Sequence, residues 1–261
     1  MQKADFIRSY LNYRLHAKTE YGVHSPFLFE FIIHVLKDKQ VYPDYRRVES
    51  LKKQLLRSDE IIEVTDFGAG SKVLKDKHRS VAGIAKTSSK PKKYGRLLHR
   101  ISRFLKPVSI LELGTSLGLS TAYMALGNQN SRIITMEGCP NIANIAKANF
   151  RQLQLDHIEL VNGPFDEMLK GVLDELPELN LVFVDGNHRL EPTLAYFEQC
   201  LPKAVNETCM IFDDIHWSKE MEEAWEIIRK NPGVTLSVDL FFMGLVFFKR
   251  ELTKSDVMIR F

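Results

Sequence analysis

Cysteine is scarce in this chain, and its placement argues against two classes of protein. The three cysteines, Cys139, Cys200 and Cys209, are odd in number and have no Cys-x-x-Cys spacing. A disulfide framework or a zinc site would require cysteines in pairs at regular spacing. We therefore expect buried free thiols.

Long hydrophobic runs are also absent. No apolar run approaches the roughly 18 residues that a membrane span needs. The first residues, Met1 to Phe6, lack the apolar core of a signal peptide. With 261 residues, 44% of them hydrophobic, the chain can bury one substantial core and carry an appended subdomain. We expect a cytoplasmic protein without a membrane partner.

Acidic residues are few in the first part of the chain. Residues 1–107 carry 23 Lys and Arg against 11 Asp and Glu, whereas residues 108–261 carry 13 against 22. The densest stretch, 72–106, holds 12 basic residues and a single acidic one, Asp76. This basic segment could bind RNA or another acidic partner, or it could pack on the acidic half of its own chain or of a dimer partner.

The Gly-x-Gly-x-x-Gly fingerprint of dinucleotide-binding domains is missing where it would be expected. Instead, an apolar strand at 108–113 runs into a turn from Gly114 to Gly118 and then into a helix at 120–126. The glycines let the backbone approach a ligand, and the start of the helix presents free N–H groups to it. This pattern predicts a site for a nucleoside cofactor that is less charged than a dinucleotide. Further cofactor contacts are expected from Glu112, Thr115, Ser116 and Ser120.

An acidic residue follows the next predicted strand, 131–136. In a doubly wound sheet, a carboxylate at this point accepts hydrogen bonds from the ribose hydroxyls of a nucleoside. Glu137 is therefore the expected ribose anchor, with Gly138 beside it. The alternative is that Glu137 is simply a polar strand end.

The order of the predicted elements favours an α/β fold. Strands at 108–113, 131–136, 157–161, 180–184 and 208–212 alternate with helices, which indicates a mainly parallel, doubly wound, Rossmann-like sheet. Two further β-rich runs, 234–240 and 243–248, are so close together that they must form an antiparallel hairpin. These runs make seven strands in total. Apolar periodicity predicts an N-terminal helical region with helices at 3–18, 25–37 and 45–57, and a further helix at 95–105.

A second glycine pattern, Asp66 to Ser71, follows another apolar stretch. The segment after it is polar and basic and has no apolar face for a helix to bury. We expect a loop at this position and no second nucleotide site.

Four segments together resemble the class I S-adenosylmethionine-dependent methyltransferases, and in particular the catechol and caffeoyl-CoA O-methyltransferase group. They are Ile110 to Ser120, Ile134 to Gly138, Leu181 to His188 and Ile211 to Ile215. The resemblance implies a seven-stranded methyltransferase domain at 108–261, with 1–107 as a helical, basic extension that includes a lid. It also implies S-adenosylmethionine as cofactor and O-methylation of a small molecule.

The same resemblance extends the cofactor site. The loop after the third strand brackets the adenine in related enzymes, which suggests Gly163 and Phe165 as contacts. The segment before the first strand carries a lid over the methionine end of the cofactor in that family, which suggests Tyr94 and Gly95. Asp185 is a further expected cofactor contact.

Acidic residues follow two more apolar strands, and they predict the reactive part of the site. Asp185 and the pair Asp213 and Asp214 should meet at one edge of a parallel sheet, where like charges repel unless a cation lies between them. Oxygen ligands suit Mg²⁺, Mn²⁺ or Ca²⁺. In the resembling family, Asp185 and Asp213 match two aspartate ligands and Asp214 matches an asparagine ligand, so these three are the expected metal site.

One position departs from that family. His188 stands where its catalytic lysine stands, three residues after the first aspartate ligand. Because histidine can take a hydroxyl proton near neutral pH, we expect His188 and Asp185 to be catalytic. The alternative for His188 is to hold a carboxylate in place. His216 and Trp217 could line the acceptor pocket or begin a helix.

Two other functions stay open from the sequence. A non-catalytic protein could use this fold with its basic half bound to RNA or another polyanion, although no RNA-recognition motif is visible. A nicotinamide oxidoreductase would need preferential NAD binding. A homodimer is also open.

Overall fold

A computed structural model of the chain describes residues 3–65, 77–88 and 91–261. The predicted loop from Asp66 to Ser71 lies outside these ranges, as do residues 72–76 and 89–90 of the basic segment. In the described part of the chain, no helix is both long and apolar enough to span a membrane.

The helices and strands follow the predicted order. The described α-helices are α1 (Lys3–His16), α2 (Pro26–Phe31), α3 (Pro43–Leu55), α4 (Val81–Thr87), α5 (Lys92–Leu105), α6 (Leu119–Gly127), α7 (Pro140–Gln152), α8 (Phe165–Glu175), α9 (Leu190–Cys200) and α10 (Lys219–Lys230). The described strands are β1 (Ile61–Glu63), β2 (His78–Ser80), β3 (Ser109–Leu113), β4 (Arg132–Glu137), β5 (Ile158–Asn162), β6 (Leu179–Val184), β7 (Ala204–Asp213), β8 (Leu236–Asp239), β9 (Met243–Phe247) and β10 (Ser255–Met258).

Local chemistry explains where several helices begin. The Ser25 side chain accepts the backbone N–H of Leu28, and Pro26 is the first residue of α2. Proline is favoured there because the first N–H of a helix has no partner within it. Pro43 in the same way begins α3 two residues before the predicted start. The predicted helix at 25–37 is divided into α2 and a π-helical turn, Ile32–Leu36.

The chain forms two compact units. The terminal unit comprises Met1–Lys37 and Leu173–Phe261, and the central unit comprises Asp38–Val172. The predicted division into 1–107 and 108–261 stays a prediction.

The central unit contains parallel strands in the order β3-β4-β5. All five residues of β3 are buried, as expected for a parallel strand covered on both faces. The unit also holds the antiparallel pair β1 and β2, which the sequence did not predict because each strand has only three residues. Asn141 holds this pair near α7, since its side-chain amide donates to the Glu63 carbonyl at 2.8 Å.

The terminal unit contains strands in the order β10-β8-β9-β7-β6. β6 and β7 are parallel, and β9 is antiparallel to both β7 and β8. Gly244 of β9 lies against the Trp225 ring, where an added Cβ would come within 2.6 Å. The antiparallel pairing of β8 and β9 confirms the predicted terminal hairpin. The packing of Trp225 on this hairpin depends on the absence of a side chain at Gly244.

The α/β fold class, with mainly parallel strands, an antiparallel pair near the end and N-terminal helices, is confirmed. The strand count differs from the seven predicted, because β10 pairs in parallel with β8 and makes an eighth strand beside β3 to β9. The sequence of β10, Ser-Asp-Val-Met, is too short and too polar to indicate a strand by itself.

Candidate cofactor and acceptor sites

The turn between β3 and α6 has the conformation that its glycines predict. The φ angles of Gly114 and Gly118 are 110° and 78°, in the region where a side chain is strained. A Cβ on Gly118 would also lie 2.5 Å from the Phe150 ring. The backbone N–H groups of Gly114 and Thr115 both donate to the Met136 carbonyl at 3.0 Å. The turn is thus fastened to the end of β4.

Glu137 is in contact with this turn. One oxygen of its carboxylate accepts the Ser116 backbone N–H at 2.8 Å, and the other accepts the Cys139 backbone N–H at 2.9 Å. Ser116 itself has a left-handed φ of 47°. The two features that the sequence singled out separately are therefore adjacent, and the half-buried carboxylate is held in a fixed position.

Glu112 lies beneath the turn and has no exposed surface. Its carboxylate accepts hydrogen bonds from the hydroxyls of Ser120 at 2.5 Å, Thr135 at 2.6 Å and Thr121. The Thr135 hydroxyl also bonds the hydroxyl of Thr115, which is fully buried as well. In this structure Glu112 ties strand β3 to β4 and to the first turn of α6.

The loop after β5 is fastened to the loop after β4. Gly163, with a φ of 152°, donates its N–H to the Glu137 carbonyl at 3.0 Å. The Asn162 amide donates to the carbonyls of Glu137 and Gly138 at 2.6 and 3.1 Å. Phe165 is half-buried at the first position of α8. Asn162 was not predicted, although its place at the end of a strand beside a glycine was a usable signal.

Tyr94 and Gly95 belong to the packing of α5. Tyr94 is buried, and a Cβ on Gly95 would come within 2.3 Å of the Tyr123 ring of α6. The glycine therefore allows α5 to approach α6 closely. Their predicted contact with the cofactor stays a prediction.

Basic residues of α5 pair with groups on α3. Arg96 and Lys92 bind the Glu49 carboxylate at 2.6 and 3.0 Å. Burial raises the pKa of Glu49, but these two cations outweigh burial and hold it below its usual range. The Arg96 and Arg103 guanidiniums lie 4.9 Å from the ring centroids of Tyr45 and Tyr42. This part of the basic segment makes contacts within the central unit.

Three potential metal ligands converge in the terminal unit. Asp185 follows β6, Asp213 ends the neighbouring parallel strand β7, and His188 follows Asp185 by three residues. One ligand atom from each lies within 4.8 Å of the others. The His188 Nε2 is 3.7 Å from an oxygen of Asp185, and Asp213 is only 1% exposed. The strand ends therefore bring together residues that lie far apart in sequence.

Asp214 is not a member of this group. Its backbone has a left-handed φ of 52°, and its N–H donates to the Phe242 carbonyl at 2.7 Å. Within the described residues, the set that could hold an ion contains His188 in place of the expected Asp214. The reversal of the chain after Asp213 explains the difference, because it fastens Asp214 to the β8–β9 turn.

His216 has a clear structural role. Its ring nitrogens lie 2.9 Å from Asp239 and 3.2 Å from Glu222, and the ring stacks on Phe241 at 4.9 Å. Burial lowers the pKa of His216, but its hydrogen bonds and proximity to the two carboxylates outweigh burial and raise it. Trp217, by contrast, is 61% exposed just before α10. Trp217 is therefore the better placed of the two to meet a ligand.

These contacts define an α/β protein with a glycine turn held to an acid at the tip of the following strand, the arrangement of a nucleoside-binding domain. Residues 111–215 match a family model described as a methyltransferase domain. A catechol O-methyltransferase of Niastella koreensis is 28% identical over 137 residues, which are 51% of this chain. The match spans 61% of that relative's length.

Solved structures agree on the fold. An O-methyltransferase from Bacillus cereus in complex with S-adenosylhomocysteine has a TM-score of 0.57 and 19% identity, over 85% of this chain and 97% of that one. A Podospora anserina methyltransferase bound to S-adenosylhomocysteine has a TM-score of 0.60 and 15% identity, over 87% and 99% of the two chains. The resemblance to class I S-adenosylmethionine-dependent methyltransferases of the catechol group is confirmed.

Proposed function

We propose that the protein is an S-adenosylmethionine-dependent O-methyltransferase acting on a small-molecule hydroxyl. The observation that carries this proposal is the contact between the Glu137 carboxylate and the Ser116 backbone N–H of the glycine turn. This contact fixes an acid beside the turn, where a nucleoside ribose would meet it. The methyltransferase-domain match and the relatives support the same function.

The cofactor would be bound by main-chain groups and a few side chains of the central unit. Glu137 would accept hydrogen bonds from the ribose hydroxyls, and the turn from Gly114 to Gly118 would hold the methionine end. Asn162 and Phe165, at the end of β5 and the start of α8, would bracket the adenine. Glu112 would act only indirectly, by supporting the turn from below.

The residues of the terminal unit would prepare the acceptor. S-adenosylmethionine, when bound, supplies a methyl group whose bond to sulfur breaks as the acceptor oxygen attacks, and the electron pair returns to sulfur. His188 would take the hydroxyl proton, since imidazole accepts protons near neutral pH. Asp185, 3.7 Å from the His188 Nε2, would stabilise the imidazolium that results. The exposed Trp217 and Phe242 offer aromatic surfaces for a flat, aromatic acceptor.

A divalent cation fits the same group of residues. Two carboxylates with donor atoms within 4.8 Å of each other favour a positive ion between them, and a histidine nitrogen completes the donor set. Because one donor is nitrogen, Mn²⁺ or another transition metal suits the set better than Mg²⁺. Asp185, Asp213 and His188 would hold the ion, and His188 would then act as a ligand in place of its role as base. The ion, when bound, would stabilise negative charge on the acceptor oxygen.

The binding part of this proposal is tested by calorimetric titration of S-adenosylhomocysteine into the wild type and Glu137→Ala. Glu159→Ala is the matched control, because Glu159 is a carboxylate on the neighbouring strand β5 that pairs with Arg132 at the surface. We expect binding to the wild type and the control and weaker binding to Glu137→Ala. Equal affinity for NAD and S-adenosylhomocysteine, or no binding of either, would overturn the proposal.

The chemical part is tested with labelled S-adenosylmethionine and a panel of phenols and catechols. His188→Gln should lose turnover while keeping its affinity for S-adenosylhomocysteine. Mn²⁺ binding should be weakened in Asp213→Asn and much less in Asp214→Asn, since Asp214 lies outside the ligand group. Full turnover in the presence of a chelator would exclude the metal and leave proton removal to His188.

The kind of partner and the location of the protein are part of the same proposal. Lys92, Arg96 and Arg103 of α5 are engaged by Glu49 of α3 and by the rings of Tyr45 and Tyr42, which favours a small-molecule partner over RNA. All three cysteines are buried and free, and burial raises the pKa of Cys200 to about 12. Inert thiols agree with a cytoplasmic location. A homodimer stays a prediction.

A further inference from the structure

Helix α1 has apolar side chains on two opposite faces. Ile7, Leu11 and Leu15 follow one another at four-residue spacing and are 53%, 56% and 81% exposed. Side chains at this spacing form one continuous stripe along a helix. A surface helix of a globular protein normally turns its single apolar stripe inward. The outward stripe of α1 therefore indicates contact with something outside the chain.

The inward face of α1 is already used. Phe6 and Tyr13 pack against Phe241, with ring centroids 5.3 and 5.4 Å apart. The Tyr13 hydroxyl donates to the Ile259 carbonyl at 2.5 Å, and Ser9 donates to Glu222 at 2.8 Å. These contacts fix the orientation of the helix in the terminal unit. The stripe of Ile7, Leu11 and Leu15 cannot turn inward without breaking them.

Positive charge surrounds the stripe. Arg8 and Arg14 lie on α1 on either side of it, and Lys18 and Arg260 lie at its C-terminal end. All four side chains are exposed. The acid that follows, Glu20, is buried and paired with Lys37, so that its charge is neutralised locally. On α1 itself, half-buried Asp5 is the opposing acid.

We propose that this face of α1 binds the surface of an anionic lipid bilayer, with Ile7, Leu11 and Leu15 inserted at the boundary between headgroups and acyl chains. Apolar side chains on one face of a helix, flanked by arginine and lysine, are the pattern of interfacial helices. Exposed Tyr10, at 39%, and Tyr21, at 88%, add aromatic side chains suited to the headgroup region. The charge of the rim complements anionic headgroups.

A second copy of the chain is the less favoured occupant. Antiparallel pairing of two α1 helices about Leu11 would bring Arg8 of one copy close to Arg14 of the other. Like charges at such a contact oppose association.

The inward face of α1, opposite the stripe, borders the acceptor site within the same unit. The Phe6 ring lies 6.2 Å from the Phe242 ring, and the Phe242 carbonyl accepts the Asp214 N–H. Asp214 directly follows Asp213 of the ligand group. Docking through α1 would therefore leave the acceptor side of the terminal unit about one helix diameter, roughly 10 Å, from the membrane surface. Under the proposed function, this favours an apolar acceptor dissolved in lipid.

The inference is tested by co-sedimentation of the full chain with vesicles of phosphatidylcholine alone and of phosphatidylcholine mixed with phosphatidylglycerol. We expect binding to the mixed vesicles and little to the neutral ones. Because each basic side chain near an anionic surface contributes about fivefold in affinity, Arg8→Gln/Arg14→Gln should bind roughly 25-fold more weakly. Raising the salt to about 0.5 M should release the wild type, since charge attraction is screened.

The apolar part is tested with Leu11→Gln/Leu15→Gln. These side chains are exposed, so the variant should keep the wild-type Tm and affinity for S-adenosylhomocysteine while losing vesicle binding. Ile227→Gln, on exposed α10, is the matched control and should bind like the wild type. Two results would overturn the inference. The first is equal binding of the wild type to both kinds of vesicle. The second is a wild type that binds no vesicles and is a dimer in sedimentation velocity, while Leu11→Gln/Leu15→Gln is a monomer. Because S-adenosylhomocysteine binding is measured separately, failure here leaves the proposed function standing.

Discussion

Replacement of Glu112 by glutamine should destabilise the protein more than any other single carboxylate-to-amide change in the central unit. The carboxylate accepts hydrogen bonds from three hydroxyls on two elements, Ser120 and Thr121 of α6 and Thr135 of β4, and it has no exposed surface. Glutamine has nearly the same shape and keeps one acceptor oxygen. Glutamine has an NH₂ group in place of the other oxygen, and this group cannot accept the hydrogen bonds that the hydroxyls donate to the carboxylate.

The magnitude follows from the lost acceptor. Hydrogen bonds to charged groups contribute about 1.5 to 3 kcal/mol each, and a buried group left without its partner costs a similar amount. The hydroxyls can rotate, so one of them can instead accept from the new amide. We therefore expect a net loss of about 2 to 3 kcal/mol in the free energy of unfolding. For a chain of this size, that corresponds to a fall in Tm of roughly 5 to 10 °C.

Thermal unfolding and urea titration of Glu112→Gln measure this loss. Glu159→Gln is the control, because it makes the same chemical change at an exposed carboxylate paired with Arg132, and exposed pairs contribute about 1 kcal/mol or less. The affinity for S-adenosylhomocysteine should also fall in Glu112→Gln, since the turn loses its support. If Glu112→Gln is no less stable than Glu159→Gln, the hydroxyls do not depend on the charge of Glu112 and the reasoning is wrong.

Three further predictions concern the central unit. Glu137→Ala should weaken S-adenosylhomocysteine binding by about 1 to 3 kcal/mol in calorimetry, the loss expected for a charged hydrogen-bond partner, and unchanged affinity would remove Glu137 from the site. Gly118→Ala should lower the Tm, because the φ of Gly118 is 78° and a Cβ there would lie 2.5 Å from Phe150. The control Gly171→Ala in α8, where a Cβ would have no atom within 4 Å, should be neutral or stabilising. Similar Tm values for the two variants would contradict this prediction. Burial lowers the pKa of His99, although Asp44 opposes this shift. The contribution of His99 to stability is therefore fully present above the ordinary histidine pKa, and it is lost as the pH falls toward the lower pKa of His99 in the folded protein. The urea midpoint should therefore fall more between about pH 7.5 and about pH 5.5 in the wild type than in His99→Gln, and an equal fall would show that another group is responsible.

The sequence predicted the main fold because its signals are local. The segments 108–113 and 180–184 are mostly apolar, as expected for parallel strands buried on both faces. The turn after β3 was evident from its glycines, whose positive φ angles no other residue adopts at so little cost. The short strands β1, β2 and β10 could not be predicted, since three or four residues give no reliable periodicity.

Site residues were predictable when their position along a strand decided their role. Glu137 ends β4 as predicted, and because the carboxyl ends of parallel strands meet at the same edge of a sheet, it lies beside the turn after β3. Only the resemblance to the family suggests Tyr94 and Gly95 as contacts, and no local signal indicates that Gly95 packs against Tyr123. Whether these residues contact a cofactor stays a prediction.

By itself, the sequence determined the α/β class, the glycine turn and the acids at the strand ends, because each depends on the residues next to it. Only the tertiary structure decided which side chains meet. It put Glu112 beneath the turn with three hydroxyls, and it grouped His188, not Asp214, with Asp185 and Asp213. The physical reason is that such groups depend on strand neighbours and on single backbone reversals, such as the left-handed φ of Asp214, which the spacing along the chain does not encode.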